Sequence, residues 1–436
     1  MTTNDDKPVA EPMRPMLTAL LGEPLPVGFE FWDGSTIPPA GGATDCPTLR
    51  VTSPDALRRI AWAPGELGFA RAYVCGELDT TGDLAETLRA LQASMPNDIK
   101  VASTALPAVL SAAHAMGVLG VPPPAPPEEV VPRGIRHSIR RDRVSVGHHY
   151  DVGNDFYRLV LGEAMTYSCA RFVTPETGLA EAQAAKHELI CRKLGLADEV
   201  FRTASPGHRP RLLDVGCGWG SMALHAARHH DVDVVGITIS EEQATLARER
   251  VTAAGLDDRI EIRLQDYRDV EDGPFDAISS IGMAEHVGAK NSNRYFSLLY
   301  GLLRNGGRLM NHAIASVGGS RMSSRSFVGR YVFPDGELVD LADTISVMEQ
   351  VGFEVRDVEN LREHYAATLR EWVANLDEHW DAAVGLVGER RARVWRLYMS
   401  GSINGFVDNG LQLYQTLGVK SVRRPTDLPP TRRDWE

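Results

Sequence analysis

Glycines at 216, 218 and 220 follow directly on the run Leu212-Leu-Asp-Val215, and together these residue types suit holding a small ligand against the backbone. Without a Cβ, glycine lets the chain turn tightly and lie almost against a bound group. The spacing is G-x-G-x-G. In the dinucleotide fingerprint the third glycine comes three residues after the second, and a pyrophosphate rests on the helix N-terminus. Here Asp214 is placed to attract a cationic amino group. That suits the amino-acid end of S-adenosylmethionine better than a phosphate. The competing reading of such a glycine run is a plain strand-to-helix turn, and the surrounding elements decide between the two.

From Arg211 onward, strands and helices alternate at βαβ spacing. Strands are expected at 211–215, 232–239, 260–264, 275–281 and 308–315, with helices through Ala227 and over 241–254. A late strand at 354–358, a long helix from Tyr365 and a final strand near 414–420 complete the pattern. The strands read as apolar throughout, as a parallel sheet covered on both faces requires. The fold class is α/β: a Rossmann-like, mostly parallel sheet with a smaller α+β domain before it.

Ligands of such sheets bind beyond the carboxyl ends of the strands. Those ends carry the glycine turn, then Thr238 and Gln243, then Gln265, Asp266 and Tyr267, then Met283 to His286. Strand two ends without the acid that usually grips ribose hydroxyls, which leaves that task to Thr238 and Gln243. The alternative for Ser240 and Gln243 is a helix capping box, and both readings can hold at once. Asp266 beside Tyr267 suits an adenine, the carboxylate accepting from the exocyclic amine; otherwise the pair is a loop acid with a surface aromatic. Trp219 reads as packing.

The chain has 436 residues, enough for two or three domains, and a net charge of −12 that argues against general nucleic-acid binding. Locally the sign reverses, in the arginine-rich run 133–143 containing Arg136, Arg140 and Arg141. Five cysteines without paired or zinc-type spacing point to neither a disulfide framework nor a metal site. With no apolar signal core at the N-terminus, a cytoplasmic protein is expected. Val101 to Gly120 is the stretch nearest to a membrane span, but Pro107 and His114 favour a packed or interfacial helix. Residues 1–14 read as a disordered tail and 15–120 as the N-terminal domain, with Ser53 capping a helix that starts at Pro54 and a second helix over 84–94. A Pro-rich then Arg-rich linker spans 121–144, and the catalytic domain spans 145–436 with an insertion at about 316–343 that carries Arg321, Arg325 and Arg330.

Five motifs carry a resemblance: His149-Tyr-Asp-Val-Gly-Asn-Asp-Phe-Tyr157, Met165-Thr-Tyr-Ser-Cys-Ala170, Asp214-Val-Gly-Cys-Gly-Trp-Gly220, Gly236-Ile-Thr-Ile-Ser240 with Gln243, and Glu285-His-Val-Gly288. In this order they resemble the cyclopropane-fatty-acyl-phospholipid synthase family of S-adenosylmethionine-dependent enzymes. The N-terminal third resembles the extra domain of the full-length, phospholipid-acting members. The resemblance implies a seven-stranded sheet and methylation of the cis double bond of an unsaturated phospholipid acyl chain. In that chemistry the alkene attacks a sulfonium methyl and leaves a carbocation, which a dry apolar passage and fixed negative charge must shield before one proton is removed.

The resemblance also implies roles for individual residues. A bicarbonate ion, if present, would be held by Cys169, Glu285, His312, the backbone at Ile314, and Tyr365. Tyr167 and Ser168 would contact the cofactor's methionine portion, and Tyr150 would line the methyl-transfer site. Taken singly, Cys169 also reads as a small buried apolar residue and His312 as a core histidine. Glu285 is harder to read that way, because an acid seldom ends a buried strand without purpose.

Two departures stand out. Ala284 replaces the Phe that many members carry before Glu-His, and Arg171-Phe172 replaces paired aromatics. Loss of cation–π shielding and the overall architecture favour a methylene-branched product of the tuberculostearic type over a cyclopropane ring. Expected partners are a membrane phospholipid gripped by Arg136, Arg140 and Arg141 at the inner face of the cell membrane, a second copy of the chain, and a reductase that consumes the product. Methylation of a small soluble amine, or lipid binding without catalysis, are the readings of other classes.

Overall fold

The structure, a computed structural model, describes residues 8–39, 46–94, 120–130, 152–196, 209–318, 326–334 and 336–421, with single positions 428, 431 and 435. Tyr150, Arg136, Arg140, Arg141, Arg321, Arg325 and most of the apolar stretch 101–120 lie outside these residues. The chain divides into two compact units.

The first unit comprises residues 1–131, 324–332 and 387–404. Helix α1 covers Ala10–Leu21, so order begins inside the expected tail. Its reason is a stripe at helical spacing, Met13, Met16, Leu17 and Leu21, all buried. Strands β1 (Gly28–Phe31), β2 (Thr36–Ile37), β3 (Thr48–Val51) and β4 (Leu78–Thr81) form a small mixed sheet in the order β2-β1-β3-β4. Between β3 and β4 lie α2 (Pro54–Trp62) and α3 (Glu66–Val74), and α4 (Leu84–Ser94) follows β4. Ser53 accepts from the Asp55 N–H at 3.2 Å with Pro54 in the first turn, the start signal read from the sequence.

Two stretches assigned by sequence to the catalytic domain belong to this unit. Glu66 Oε1 accepts from the Phe327 N–H at 3.1 Å, and Arg330 pairs with Glu129. Arg393 donates to Asp79 Oδ2 at 3.0 Å and to the carbonyls of Tyr73 and Leu78. Arg330 is thus tied to a carboxylate within this unit.

The second unit holds α5 (Asn154–Leu161), α6 (Leu179–Leu194), β5 (Arg211–Val215), α7 (Ser221–His229), β6 (Asp233–Thr238), α8 (Glu241–Ala253), β7 (Ile260–Leu264), β8 (Phe275–Ile281), α9 (Ser292–Leu302), β9 (Leu303–Ser316), α10 (Leu341–Val351), β10 (Glu354–Asn360), α11 (Arg362–Glu378) and β11 (Leu411–Val419). Its seven strands run in the order β10-β11-β9-β8-β5-β6-β7. All neighbours are parallel except β11, which runs antiparallel to both β9 and β10.

Leu213, Ile278 and Leu309 are fully buried on one face of this sheet, and Leu212, Ala277 and Met310 on the other. That explains why the central strands read as unbroken apolar runs. The strand order reverses between β5 and β8, opening a crevice at the carboxyl ends where an open α/β sheet takes its ligand.

Candidate active site

The crevice holds a cavity of about 160 Å³. Its floor is the loop after β5. Gly216 adopts φ +74° and Gly218 φ +55°, a left-handed backbone that side chains rarely accept. A Cβ on Gly216 would stand 2.5 Å from the Met283 side chain, which would have to move aside, so the positive φ is joined by a close approach. Gly220 stands behind the cavity as the residue preceding α7, with φ +79°.

Of the residues expected to bind the cofactor, Tyr167, Ser168, Asp214, Gly216, Gly218, Thr238, Gln243, Gln265, Asp266 and Tyr267 all line the cavity. Ser279 donates to Asp214 Oδ1 at 2.7 Å, while Oδ2, sealed from solvent, has no hydrogen-bond partner. Burial pushes the Asp214 carboxyl up to about 6, against the opposing pull of the Ser279 hydrogen bond and the Lys186 charge. A buried acceptor without a partner beside a cavity fits a ligand ammonium group.

Ser240 caps α8 by accepting from the Gln243 N–H at 3.3 Å, while the Gln243 side chain accepts from Thr238 at 2.8 Å. Capping and cofactor lining therefore coexist. Asp266 is engaged more closely than expected: Arg268 donates to both its oxygens, at 2.8 and 2.6 Å, and stacks over Tyr267. An adenine amine would share that carboxylate with a guanidinium.

Tyr167 is held by neighbouring rings. Its ring stacks 5.3 Å from Trp372 and stands 5.8 Å from Tyr157, which packs 4.8 Å from Trp219. Trp372 in turn meets Tyr365, whose ring lies 4.6 Å from Phe406. Each such pair contributes about 0.5–1.5 kcal/mol beyond area burial. Trp219 also donates to Asn154 Oδ1 at 2.8 Å, so the packing role read from the sequence comes with a hydrogen bond.

The residues of the expected bicarbonate set are engaged as follows. Glu285 and Ile314 are joined directly, the Ile314 N–H donating to Glu285 Oε1 at 2.7 Å. Oε2 has no hydrogen-bond partner, and burial pushes this carboxyl up to about 7 against that hydrogen bond. His312, 1% exposed, sits with Nδ1 3.3 Å from the Gln415 amide nitrogen and with Nε2 lacking a partner; burial holds its pKa well below the usual range. Cys169 is fully buried, its thiol donating to the carbonyls of Ala170 at 3.1 Å and Leu361 at 3.6 Å, and burial pushes its pKa up. Tyr365 lies in the aromatic row.

Beside Glu285 lies a second, smaller cavity. It encloses about 20 Å³, space for about one water molecule, and is lined by Ala284, Ile314, Val339, Leu341 and Thr344 among others.

Sequence reasoning missed Lys186. With none of its surface exposed, it projects from α6 into the cavity, and its Nζ lies 3.0 Å from Ser168 Oγ and from His187 Nε2. Burial lowers its pKa to about 7, against the opposing influence of Cys169 and Asp214. The available signal was its place on the buried stripe of α6, four residues from Ala182 and from Ile190. His286, placed at this strand end by the sequence, lines the cavity, as does Asn291, which was not singled out.

A mostly parallel seven-stranded sheet with this glycine loop, and an acceptor suited to an amino group, defines an S-adenosylmethionine-dependent methyltransferase. Within that class, residues 137–416 match the family described as mycolic acid cyclopropane synthetase, and the chain belongs to that family. It is 44% identical over 428 residues to a probable fatty acid methyltransferase of Mycobacterium tuberculosis, covering 94% of this chain and 95% of the relative. A tuberculostearic acid methyltransferase of the same organism is 33% identical over 413 residues, covering 90% and 87%. Among solved structures, a mycolic acid cyclopropane synthase complexed with SAH and CTAB superposes with a TM-score of 0.57 at 31% identity, covering 64% of this chain and 98% of that one.

Proposed function

We propose that this enzyme methylates the cis double bond of unsaturated fatty acyl chains in membrane phospholipids and yields a methylene-branched acid, the precursor of a tuberculostearic-type product. The observation that carries the reading is Glu285, on the short helix Ala284–Val287 that follows β8 and beside cavity-lining Met283 and His286, with Oε2 sealed from solvent and engaged by no protein group. S-adenosylmethionine supplies an electrophilic methyl group on a sulfonium, to which an isolated alkene can add, leaving positive charge on the acyl chain.

The protein's own groups do the rest. Asp214 grips the amino group, the loop at Gly216 and Gly218 admits the ligand against the backbone, and Tyr167 is braced by Trp372 and Tyr157. Ionised Glu285 places a fixed negative charge where the cation develops, in surroundings of low dielectric where it counts most. Its Oε2 accepts the proton released after a hydride shift, and the Ile314 N–H holds the carboxylate in place.

Ala284, beside Glu285, brings no ring to the cation, which leaves the charge free to migrate along the chain before the proton departs. The name of the relative described as a tuberculostearic acid methyltransferase supports the same product. Incubating the protein with labelled cofactor and vesicles of a monounsaturated phospholipid is expected to give acyl chains heavier by one CH2, and hydrogenation before mass spectrometry would convert them to methyl-branched acids. A hydrogenation-resistant ring would make the enzyme a cyclopropane synthase instead. Labelling of small amines with vesicles untouched would overturn the lipid reading.

No described helix is long and apolar enough to cross a membrane. We place the enzyme on the inner membrane face, with Arg136, Arg140 and Arg141 on lipid phosphates, as a homodimer whose product passes to a reductase. Cations near an anionic leaflet gain about 1 kcal/mol each. Neutralising Arg140 and Arg141 together should therefore weaken binding to anionic vesicles about 30-fold and flatten its salt dependence. Unchanged vesicle affinity in a flotation assay would remove these arginines from the docking surface.

A further inference from the structure

Away from the cofactor cavity, helices α6 and α7 bring together side chains that the methyl transfer does not use. Glu188 and Cys191 lie three residues apart on α6, on one helical face. His225 lies on α7, and His230 directly follows its last turn. One ligand atom each from Cys191, His225 and His230 falls within 4.8 Å of the other two. Glu188 Oε2 accepts from His225 Nε2 at 3.2 Å and from His230 Nε2 at 3.0 Å.

We propose that Glu188, Cys191, His225 and His230 form a binding site for a zinc-like divalent cation. In a tetrahedral site with bonds of about 2.0–2.1 Å to nitrogen and oxygen, neighbouring ligand atoms stand about 3.3 Å apart. Glu188 Oε2 already stands 3.2 and 3.0 Å from the two imidazole nitrogens, and the Cys191 sulfur lies within 4.8 Å of a ring nitrogen of each histidine, so side-chain adjustment brings all four ligand atoms onto one ion. A thiolate, two imidazoles and a carboxylate form a borderline-soft set that selects zinc over magnesium or calcium.

The supporting contacts are of the kind that metal ligands need. Arg192 donates to Glu188 Oε1 at 2.8 Å and fixes the carboxylate, leaving Oε2 to the cation. Cys191 is fully buried and belongs to the same hydrophobic cluster as Leu189, Ile190 and Leu224. The Glu188 side chain is 29% exposed, which leaves a way in for the ion, while His225 and His230 are 11% and 8% exposed. Four protein ligands leave no position open for substrate, so the ion is structural. It pins α6, the helix carrying Lys186 and His187 into the cofactor cavity, to α7, the helix that follows the glycine loop. Loading proceeds by loss of the Cys191 thiol proton to solvent as the metal–sulfur bond forms.

The test uses full-length protein without a histidine tag, stripped with chelator and reloaded with zinc(II) or cobalt(II). One zinc per chain should be retained after gel filtration, the melting temperature should rise, and the cobalt form should show tetrahedral d–d bands with a thiolate-to-cobalt charge-transfer band. Cys191→Ser should lose that charge-transfer band, and His225→Gln with His230→Gln should lose the zinc and the thermal shift. Undiminished cofactor affinity in these variants would show that they fold. Zinc retained equally by the double variant, cobalt spectra without a thiolate band, or no metal retained above buffer level would each overturn the site.

Discussion

Glu285→Gln is expected to lower methyl incorporation into phospholipid by about a thousandfold, within the 10²–10⁴ range for a positioned acid–base group, while cofactor affinity changes less than threefold. Glutamine keeps the shape of the side chain and can still accept from the Ile314 N–H. It carries no charge to offset a cation and accepts no proton at Oε2. The split is therefore diagnostic: a fall in kcat with binding intact assigns the residue to the reaction, whereas parallel losses of binding and thermal stability would make it a structural carboxylate.

The pH profile gives a second readout of the same residue. Burial places this carboxyl at about 7, so the active, ionised form grows as pH rises through neutrality. The rate of the native enzyme should climb about tenfold per unit below that value and level off above it. That limb should be absent from the residual activity of Glu285→Gln. A native profile that is flat from pH 5.5 to 8 would exclude Glu285 as the group that must be charged.

Asp214→Asn is expected to weaken binding of S-adenosylmethionine and of its demethylated product by between about 30-fold and several thousandfold, the 2–5 kcal/mol lost when one partner of a buried charge pair is removed. Ser279→Ala removes only the hydrogen bond that holds Asp214 Oδ1 and should cost about tenfold. The ordering of the two variants in calorimetry separates the charge from its support.

The carboxyl of Asp214 stands at about 6, and the groups around it are Lys186, Cys191, Cys217 and Tyr295. Protonation below about pH 6 deprives a cationic amino group of its partner. Native affinity should thus fall toward tenfold per unit as pH drops from 6 to 5, and the asparagine variant should show little change over that interval. Equal affinities of native and Asp214→Asn protein at pH 7.5 would take the amino group off this carboxylate.

Several strands could be placed by reading residues in order, because short runs rich in apolar and β-branched residues between turn signals mark buried or half-buried strands. Arg211–Val215, Ile260–Leu264 and Phe275–Ile281 accordingly fall at their expected limits. The glycine loop was equally legible, since a left-handed backbone at 216 and 218 leaves little choice of residue. Position at a strand's carboxyl end then put Thr238, Asp266 and Tyr267 at one cavity without any knowledge of packing. Side-chain engagement was a different matter: that Arg268 closes on Asp266, or that Ile314 anchors Glu285, follows from rotamers chosen among competing partners.

Groups brought together by helix packing left no trace in local spacing. Lys186 looks like one lysine in a polar helix until α6 is laid against the sheet and its Nζ meets Ser168. Glu188 with Cys191, and His225 with His230, are 34 or more residues apart and meet only because α6 and α7 cover the same face of the sheet. The first unit likewise takes in residues 324–332 and 387–404, which no linear boundary could assign to it. Periodicity and turn chemistry are short-range properties carried by neighbouring residues, so the sequence alone determined the sheet, the loop and the class of cofactor. Contacts across long stretches of chain depend on how finished elements pack, and that step alone decided which buried charges, thiols and imidazoles face one another.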